Sequence, residues 1–188
     1  MEELLSQLAG TVIYSRDHLL EPPYLVRTGD TLESIAQRHN VPAELLAKIN
    51  GIRNPDHLEP GRELKVVRGP FEAVVDLNRR ELILLLDGRY AGFFPIGIGL
   101  DLADTEGVFY VRDKRVNPSF YDADGRLDAT NPLGDRWIEL HEELGIHGTN
   151  NPQHIGGVGG RGCISLGDRD IEDVFDILSI GSRVTIHR

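Results

Sequence analysis

The runs Ala73-Val74-Val75-Asp76-Leu77, Leu82-Ile83-Leu84-Leu85-Leu86 and Tyr90 to Ile98, separated by Asn78-Arg79-Arg80 and Asp87-Gly88, decide the fold class. Two turn signals between apolar runs are the pattern of a β-meander. Downstream, Phe109-Tyr110-Val111, Trp137-Ile138-Glu139-Leu140, Leu144-Gly145-Ile146 and Cys163-Ile164-Ser165-Leu166 read as further strands, and the polar stretch 117–135 as a long loop. Asp168 is expected to cap a helix in which Ile171, Val174, Phe175 and Leu178 repeat at helical spacing. Gly181-Ser182 then turns into a last strand with Val184 and Ile186 on one side. Residues 71–188 therefore predict a mostly-β, sandwich-like domain with one C-terminal helix.

Upstream of a linker at Arg68-Gly69-Pro70 the pattern is different. Tyr24-Leu25-Val26 is a short strand, Thr28-Gly29 a turn, and Asp30 with Glu33 a capping-box arrangement opening a helix with Leu32, Ile35 and Ala36 on one face. A second helix follows Pro42, carries Leu45, Leu46 and Ile49 inward and stops at Asn50-Gly51, and Glu63 to Val67 is a strand. Residues 24–67 thus predict a small α+β module, strand-helix-helix-strand. Residues 1–23 form a leader with Leu4, Leu5 and Leu8 at helical spacing, expected to pack on a neighbouring domain or to stay partly disordered.

Composition narrows the partners. With 188 residues, a 40% hydrophobic and 27% charged make-up and a formal net charge of -10, the chain is an ordinary globular sequence without the basic footprint of a nucleic-acid binder. No apolar run approaches the ~20 residues of a membrane span, and Met1-Glu2-Glu3-Leu4-Leu5 lacks the basic-then-apolar pattern of an export signal. His18, His39, His57, His141 and His187 show no ligand spacing and no His/Asp/Glu triplet clusters with Cys163, so no metal site is expected. The five tyrosines and Trp137 are expected to serve packing rather than to form sugar platforms.

The lone cysteine excludes an internal disulfide and leaves two readings, a buried apolar thiol or a nucleophile. A free thiol of pKa ~8.5 is only about 3% thiolate at pH 7, so it needs an imidazole or a positive field to react. His147 can supply the first and Arg161 the second. The glycines at 156, 157, 159, 160 and 162 let a substrate approach main-chain N–H groups, as an oxyanion site requires.

Two resemblances add to this. Tyr24 to Ala36 and Leu58-Glu59-Pro60-Gly61-Arg62-Glu63-Leu64 resemble the opening and close of a LysM domain. That implies binding of N-acetylglucosamine-containing glycan between the loops Gly29-Asp30-Thr31-Leu32 and Asn50-Gly51-Ile52 to Asn54. Separately, His147-Gly148-Thr149-Asn150-Asn151-Pro152, Ile155-Gly156 and Gly162-Cys163-Ile164 resemble the signature of the L,D-transpeptidase (YkuD-type) catalytic domain. This likeness implies Cys163 as nucleophile, His147 as general base, the Gly148 carbonyl as its orienting partner, and Gly162 and Cys163 N–H groups as the oxyanion hole. Thr149, Asn150, Asn151, Arg161 and Ser165 would line the substrate site. It also implies a peptidoglycan enzyme of the cell envelope, needing no cofactor, that forms 3→3 cross-links through a thioester and reacts with carbapenems. An L,D-carboxypeptidase or an inactive peptidoglycan-binding protein is the alternative. Gly160, Arg161 and Ser165 depart from the family pattern, in which serine or threonine, histidine and arginine respectively are common.

Overall fold

The computed structural model describes residues 2–99, 102, 105–121, 124–128, 130–142, 144–159 and 164–188. The leader folds as helix α1 (Glu2–Ala9) continued by a π-helical turn, Gly10–Tyr14. Its buried residues are Ala9 and Ile13, while Leu4, Leu5 and Leu8 face outward. Polar contacts fix it to both neighbours. The Tyr14 hydroxyl donates to the Ala91 carbonyl at 2.8 Å, and the Lys65 ammonium, on a side chain only 2% exposed, donates to the Val12 carbonyl at 2.8 Å.

In the first module β1 (Tyr24–Leu25) pairs antiparallel with β2 (Glu63–Leu64), and α2 (Leu32–His39) and α3 (Ala43–Asn50) lie between them in sequence. Leu32, Ile35, Ala36, Leu45, Leu46 and Ile49 are buried, as their spacing predicts. The cap differs from the expectation. Thr31, not Asp30, is the N-cap: its hydroxyl accepts the Ser34 N–H, and Ser34 Oγ accepts the Thr31 N–H, both at 3.1 Å. Asp30 instead closes the preceding turn, accepting the Arg27 N–H and the Tyr24 hydroxyl at 2.8 Å and pairing with Arg38 at 3.0 Å. Those donors hold its carboxyl below the usual range. Both helices stop at a left-handed residue, Asn40 after α2 and Gly51 after α3.

Among the described residues the second domain has two five-stranded sheets. β3 (Phe71–Asp76), β4 (Glu81–Leu86) and β5 (Arg89–Pro95) form the predicted meander. It is extended by β12 (Arg183–His187), parallel to β3, and by β7 (Gly107–Tyr110), antiparallel to β12. The other sheet has the order β6 (Gly97–Ile98), β11 (Ile164–Ser165), β10 (Leu144–His147), β9 (Arg136–His141), β8 (Asp113–Val116). The run Tyr90 to Ile98, expected as one strand, is two: after Pro95, which has no N–H to give a ladder, the chain crosses from one sheet to the other. At the crossing Ile96 donates its N–H to the Arg80 carbonyl and accepts the Gly156 N–H, both at 3.0 Å. β8 was not read from the sequence, because Asp113-Lys114-Arg115-Val116 has no apolar alternation. Charged side chains are how edge strands avoid further pairing.

Helix α4 (Asp168–Ile177) begins at Asp168, with Gly167 as its N-cap and no side-chain cap bond. Asp168 therefore does not cap the helix. It sits with Asp170 in the first turn, where negative charge complements the helix dipole. Ile171, Val174, Phe175 and Ile177 are buried, joining Ile138, Leu140, Ile146 and Ile164 of one sheet and Ala73, Val75, Leu82 and Leu84 of the other in one continuous core. That core also takes in the first module. Lys48 of α3 clasps Asp173 and Asp176 of α4 at 2.6 and 3.0 Å.

Replacing Thr31 by alanine removes the cap and is expected to cost about 1 kcal/mol. For a chain of this size that lowers the thermal midpoint by roughly 2–4 °C. A midpoint equal to the parent's in thermal denaturation would show that the cap contributes nothing.

Candidate active site

Strand register builds the site. His147, the last residue of β10, is paired with Trp137 on β9 and with Ser165 on β11; Trp137 is paired with Arg115 on β8, and Ser165 with Gly97 on β6. Directly paired residues point to the same face, so Arg115, Trp137, His147, Ser165 and Gly97 form one row across the sheet. Ile138, Leu140, Ile146 and Ile164 occupy the opposite, core face. The parallel pairing of β10 and β11 sets His147 beside Ser165, not opposite a facing strand end.

The imidazole is held from several sides. Nδ1 donates to the Gly148 carbonyl at 2.5 Å, which assigns the proton to Nδ1 and leaves the Nε2 lone pair free. Nε2 is buried and has no hydrogen-bond partner among the described residues. The ring is stacked on the Trp137 indole, centroids 5.7 Å apart and planes at 17°. The side chain is 2% exposed, and burial pushes its pKa down to about 4, with the Gly148 hydrogen bond acting in the opposite direction. At neutral pH the group is thus a neutral imidazole whose Nε2 acceptor is not taken by any described residue.

Gly148 is held by a close backbone approach. Gly134, at φ +64, lies so near that a Cβ on it would meet Gly148 Cα at 3.0 Å. The Gly148 N–H donates to the Arg136 carbonyl at 3.2 Å. Gly145 is constrained just as tightly: a Cβ there would reach the Trp137 ring at 2.5 Å. Trp137, expected to serve packing, also stacks on His147, and the closeness of Gly145 to it was not read from the sequence. Their signal was a glycine two positions before His147 on the same strand, with a bulky aromatic on the strand paired to it.

The other expected site residues are placed as follows. Thr149 is buried, and its hydroxyl accepts the Asn151 N–H at 3.1 Å. Asn151 caps a short 3-10 turn, Pro152–His154, and its amide lies 3.1 Å from His154 Nε2. Asn150 is exposed and donates to the Thr130 carbonyl at 2.8 Å, tying the 117–135 loop to the site. Ser165 is buried at the side of His147, against Gly97, where a Cβ would meet its Oγ at 2.5 Å. The glycine-rich run pairs along β6: Gly157 O accepts the Ile98 N–H at 3.1 Å, and Gly159 N–H reaches Ile98 O at 2.9 Å. Arg80 steadies this run through the Gly156 carbonyl at 2.9 Å. Cys163, Gly162, Arg161 and Gly160 lie outside the described residues. Among the described residues no three His, Cys, Asp or Glu groups converge to hold a metal.

In the first module, the side chains expected to form the glycan groove are engaged internally. Asp30 and Thr31 make the contacts given above, Leu32 is fully buried, and Ile52 packs on the core. The Asn50 amide brackets Lys65, accepting its N–H at 2.8 Å and donating to its carbonyl at 2.9 Å. Gly29, at φ +88, forms the tight turn, and Gly51 packs against the Arg16 guanidinium, which a Cβ would strike.

Comparison with known proteins agrees with this architecture. The LysM domain family matches residues 24–67 and the L,D-transpeptidase catalytic domain family, YkuD, matches residues 70–186. The YkuD protein of Bacillus licheniformis is 33% identical over 171 residues, covering 87% of this chain and 97% of its own. Among solved structures, an L,D-transpeptidase from Mycobacterium smegmatis superposes with a TM-score of 0.54 at 16% identity, covering 71% of each chain. L,D-transpeptidase 3 from Mycobacterium tuberculosis, in complex with a faropenem-derived adduct, gives 0.55 at 18%, covering 68% of this chain and 65% of that one. At those identities the solved structures speak to the fold. The family matches and the relative that spans nearly the whole chain show that this protein belongs to the YkuD-type L,D-transpeptidase family, its catalytic domain preceded by a LysM domain.

Proposed function

We propose that the protein is a peptidoglycan L,D-transpeptidase of the cell wall that forms 3→3 cross-links through a thioester on Cys163, with His147 as the general base. The observation that carries this reading is the state of His147: a buried neutral imidazole whose Nδ1–H is given to the Gly148 carbonyl and whose Nε2 has no partner among the described residues. The neutral form is the one that can accept a thiol proton, and burial makes it a weaker base than a free imidazole. Cys163 is bonded to Ile164, and Ile164 pairs with Ile146, the residue beside His147. The pairing of the residue after Cys163 with the residue before His147 supports the two acting together.

The chemistry is then acyl transfer in two halves. The Cys163 sulfur, giving its proton to His147, attacks the carbonyl between meso-diaminopimelate and D-alanine of a tetrapeptide stem. The tetrahedral oxyanion is held by the main-chain N–H groups of Gly162 and Cys163. Collapse breaks the C–N bond, the departing D-alanine amine takes the proton from His147, and a thioester remains. The side-chain amine of a second stem attacks the thioester, loses its proton to His147 and regenerates the thiol. The LysM domain contributes the glycan contact. Several of its groove side chains are engaged internally, while Thr31, Arg53 and Asn54 are exposed on the two loops. No helix among the described residues is long and apolar enough to cross a membrane. The faropenem-derived adduct on the M. tuberculosis neighbour supports the expectation that β-lactams enter the same reaction here.

Incubation with tetrapeptide-containing muropeptides is expected to yield dimers with 3→3 links. Tripeptide alone would make water the acceptor, and unchanged substrate with retained glycan binding would make the chain a binding protein. A carbapenem is expected to add its mass to the parent protein but not to Cys163→Ala; an adduct persisting in that variant would remove Cys163 from the role.

The burial of His147 also has a sign in pH. Its folded pKa of about 4 lies below the unfolded value of 6.5, so between those values the unfolded chain binds the extra proton. Stability from this group is fully present above pH 6.5, falls as pH drops toward 4 and is level below that. The loss amounts to about 3 kcal/mol. Denaturant unfolding at pH 7 and pH 4 should show that extra loss in the parent and not in His147→Gln; equal losses would mean that the imidazole is not buried neutral.

A further inference from the structure

We propose that Trp137 is a positioning residue for the base: its indole clamps the His147 ring in the plane that keeps Nδ1 on the Gly148 carbonyl and closes that side of the ring to water. The inference rests on the reading of His147 as the base. A histidine ring on a single hydrogen bond is not fixed, because the torsion that turns it is broad and roughly two-fold. A half-turn would take Nδ1 away from Gly148 and point the acceptor elsewhere. A second constraint on the ring plane is needed, and the stacked indole, 17° from parallel at 5.7 Å, supplies it.

Two features set Trp137 apart from an ordinary packing residue. It lies on the face of β9 that carries the charged Glu139, whereas the core-facing residues of that strand are Ile138 and Leu140. Its place is also kept open by the main chain: Gly145 sits under the indole, and a Cβ there would fall 2.5 to 2.8 Å from three of its ring atoms. Only glycine at 145 lets the indole lie flat enough to reach His147. The pair Trp137 and Gly145 is thus a slot and its filler, built against the imidazole.

The low basicity of His147 accords with the indole's cover, since burial is its leading cause. The charged groups on the same face, Asp113, Arg115 and Glu139, are joined among themselves, Arg115 lying 2.7 Å from Asp113 and 2.5 Å from Glu139. Arg161 and Cys163 are common to every variant compared below. A change in His147 titration on altering residue 137 or 145 therefore reports the clamp.

The test uses the full chain with 15N-labelled histidine, reading the His147 tautomer and titration by NMR alongside the rate at which a carbapenem acylates Cys163. In the parent and in Trp137→Phe the Nδ1–H tautomer and the low titration midpoint are expected to persist. In Trp137→Leu, and in Gly145→Ala, which displaces the indole without altering either ring, the tautomers should mix and the midpoint rise toward 6.5. Acylation in these two should slow by roughly three- to tenfold, the range of an aromatic contact. A parental tautomer and midpoint in a folded Trp137→Leu or Gly145→Ala protein would overturn the clamp, whatever the rate. If His147→Gln acylates as fast as the parent, the base assignment fails instead, and the two failures are told apart.

Discussion

The second domain depends on one short piece of parallel pairing, Ile146 and His147 of β10 against Ile164 and Ser165 of β11. Two residues on each side are enough because both strands are pinned again on their far edges, β10 by β9 and β11 by β6. That pairing brings together segments separated by the 148–163 connection and sets which residue stands beside which. The same register puts the small residues Gly97, Gly145 and Ser165 where bulk would collide. Ile98 is used twice, once by β11 and once by the glycine-rich run at Val158, so the chain is anchored to it before residue 160 and after residue 163.

Much of the fold was legible because its signals are local. The turns at Asn78-Arg79-Arg80 and Asp87-Gly88, the leucine alternation of β4 and the helical spacing of Ile171, Val174 and Phe175 need no knowledge of distant partners. What was misread depended on a choice between competing hydrogen bonds or on pairing across the chain. Asp30 and Thr31 are both good caps by type, and the Tyr24 hydroxyl and Arg38 decided between them by claiming the carboxylate. The apolar run from Tyr90 to Ile98 is continuous in hydropathy, so its division between two sheets is invisible until the Arg80 and Gly156 backbone partners of Ile96 are seen. β8 is a strand through its pairing with β9 and not through its composition.

The candidate site was legible in its members more than in its geometry. His147 and its glycine neighbour stood out as a motif, and the structure adds how the ring is held. Trp137 was read only as a packing residue, and it does pack on the core; its stacking on His147 depends on a partner on another strand, and register was not available from composition. Thr149 and Asn151 look like groove residues in sequence. In the fold their polar groups serve the turn that carries the chain from β10 into the glycine-rich run.

The leader changes what counts as a unit. Between Lys65, whose buried ammonium rests on the Val12 carbonyl, and Ala91, whose carbonyl holds Tyr14, residues 2–14 act as mortar between two domains that a sequence would cut apart. A first module released at Tyr24 would lose the Val12 carbonyl and leave the Lys65 ammonium to water. The seam at Arg68-Gly69-Pro70 separates the two family matches, whereas the contacts of residues 2–14 run across it.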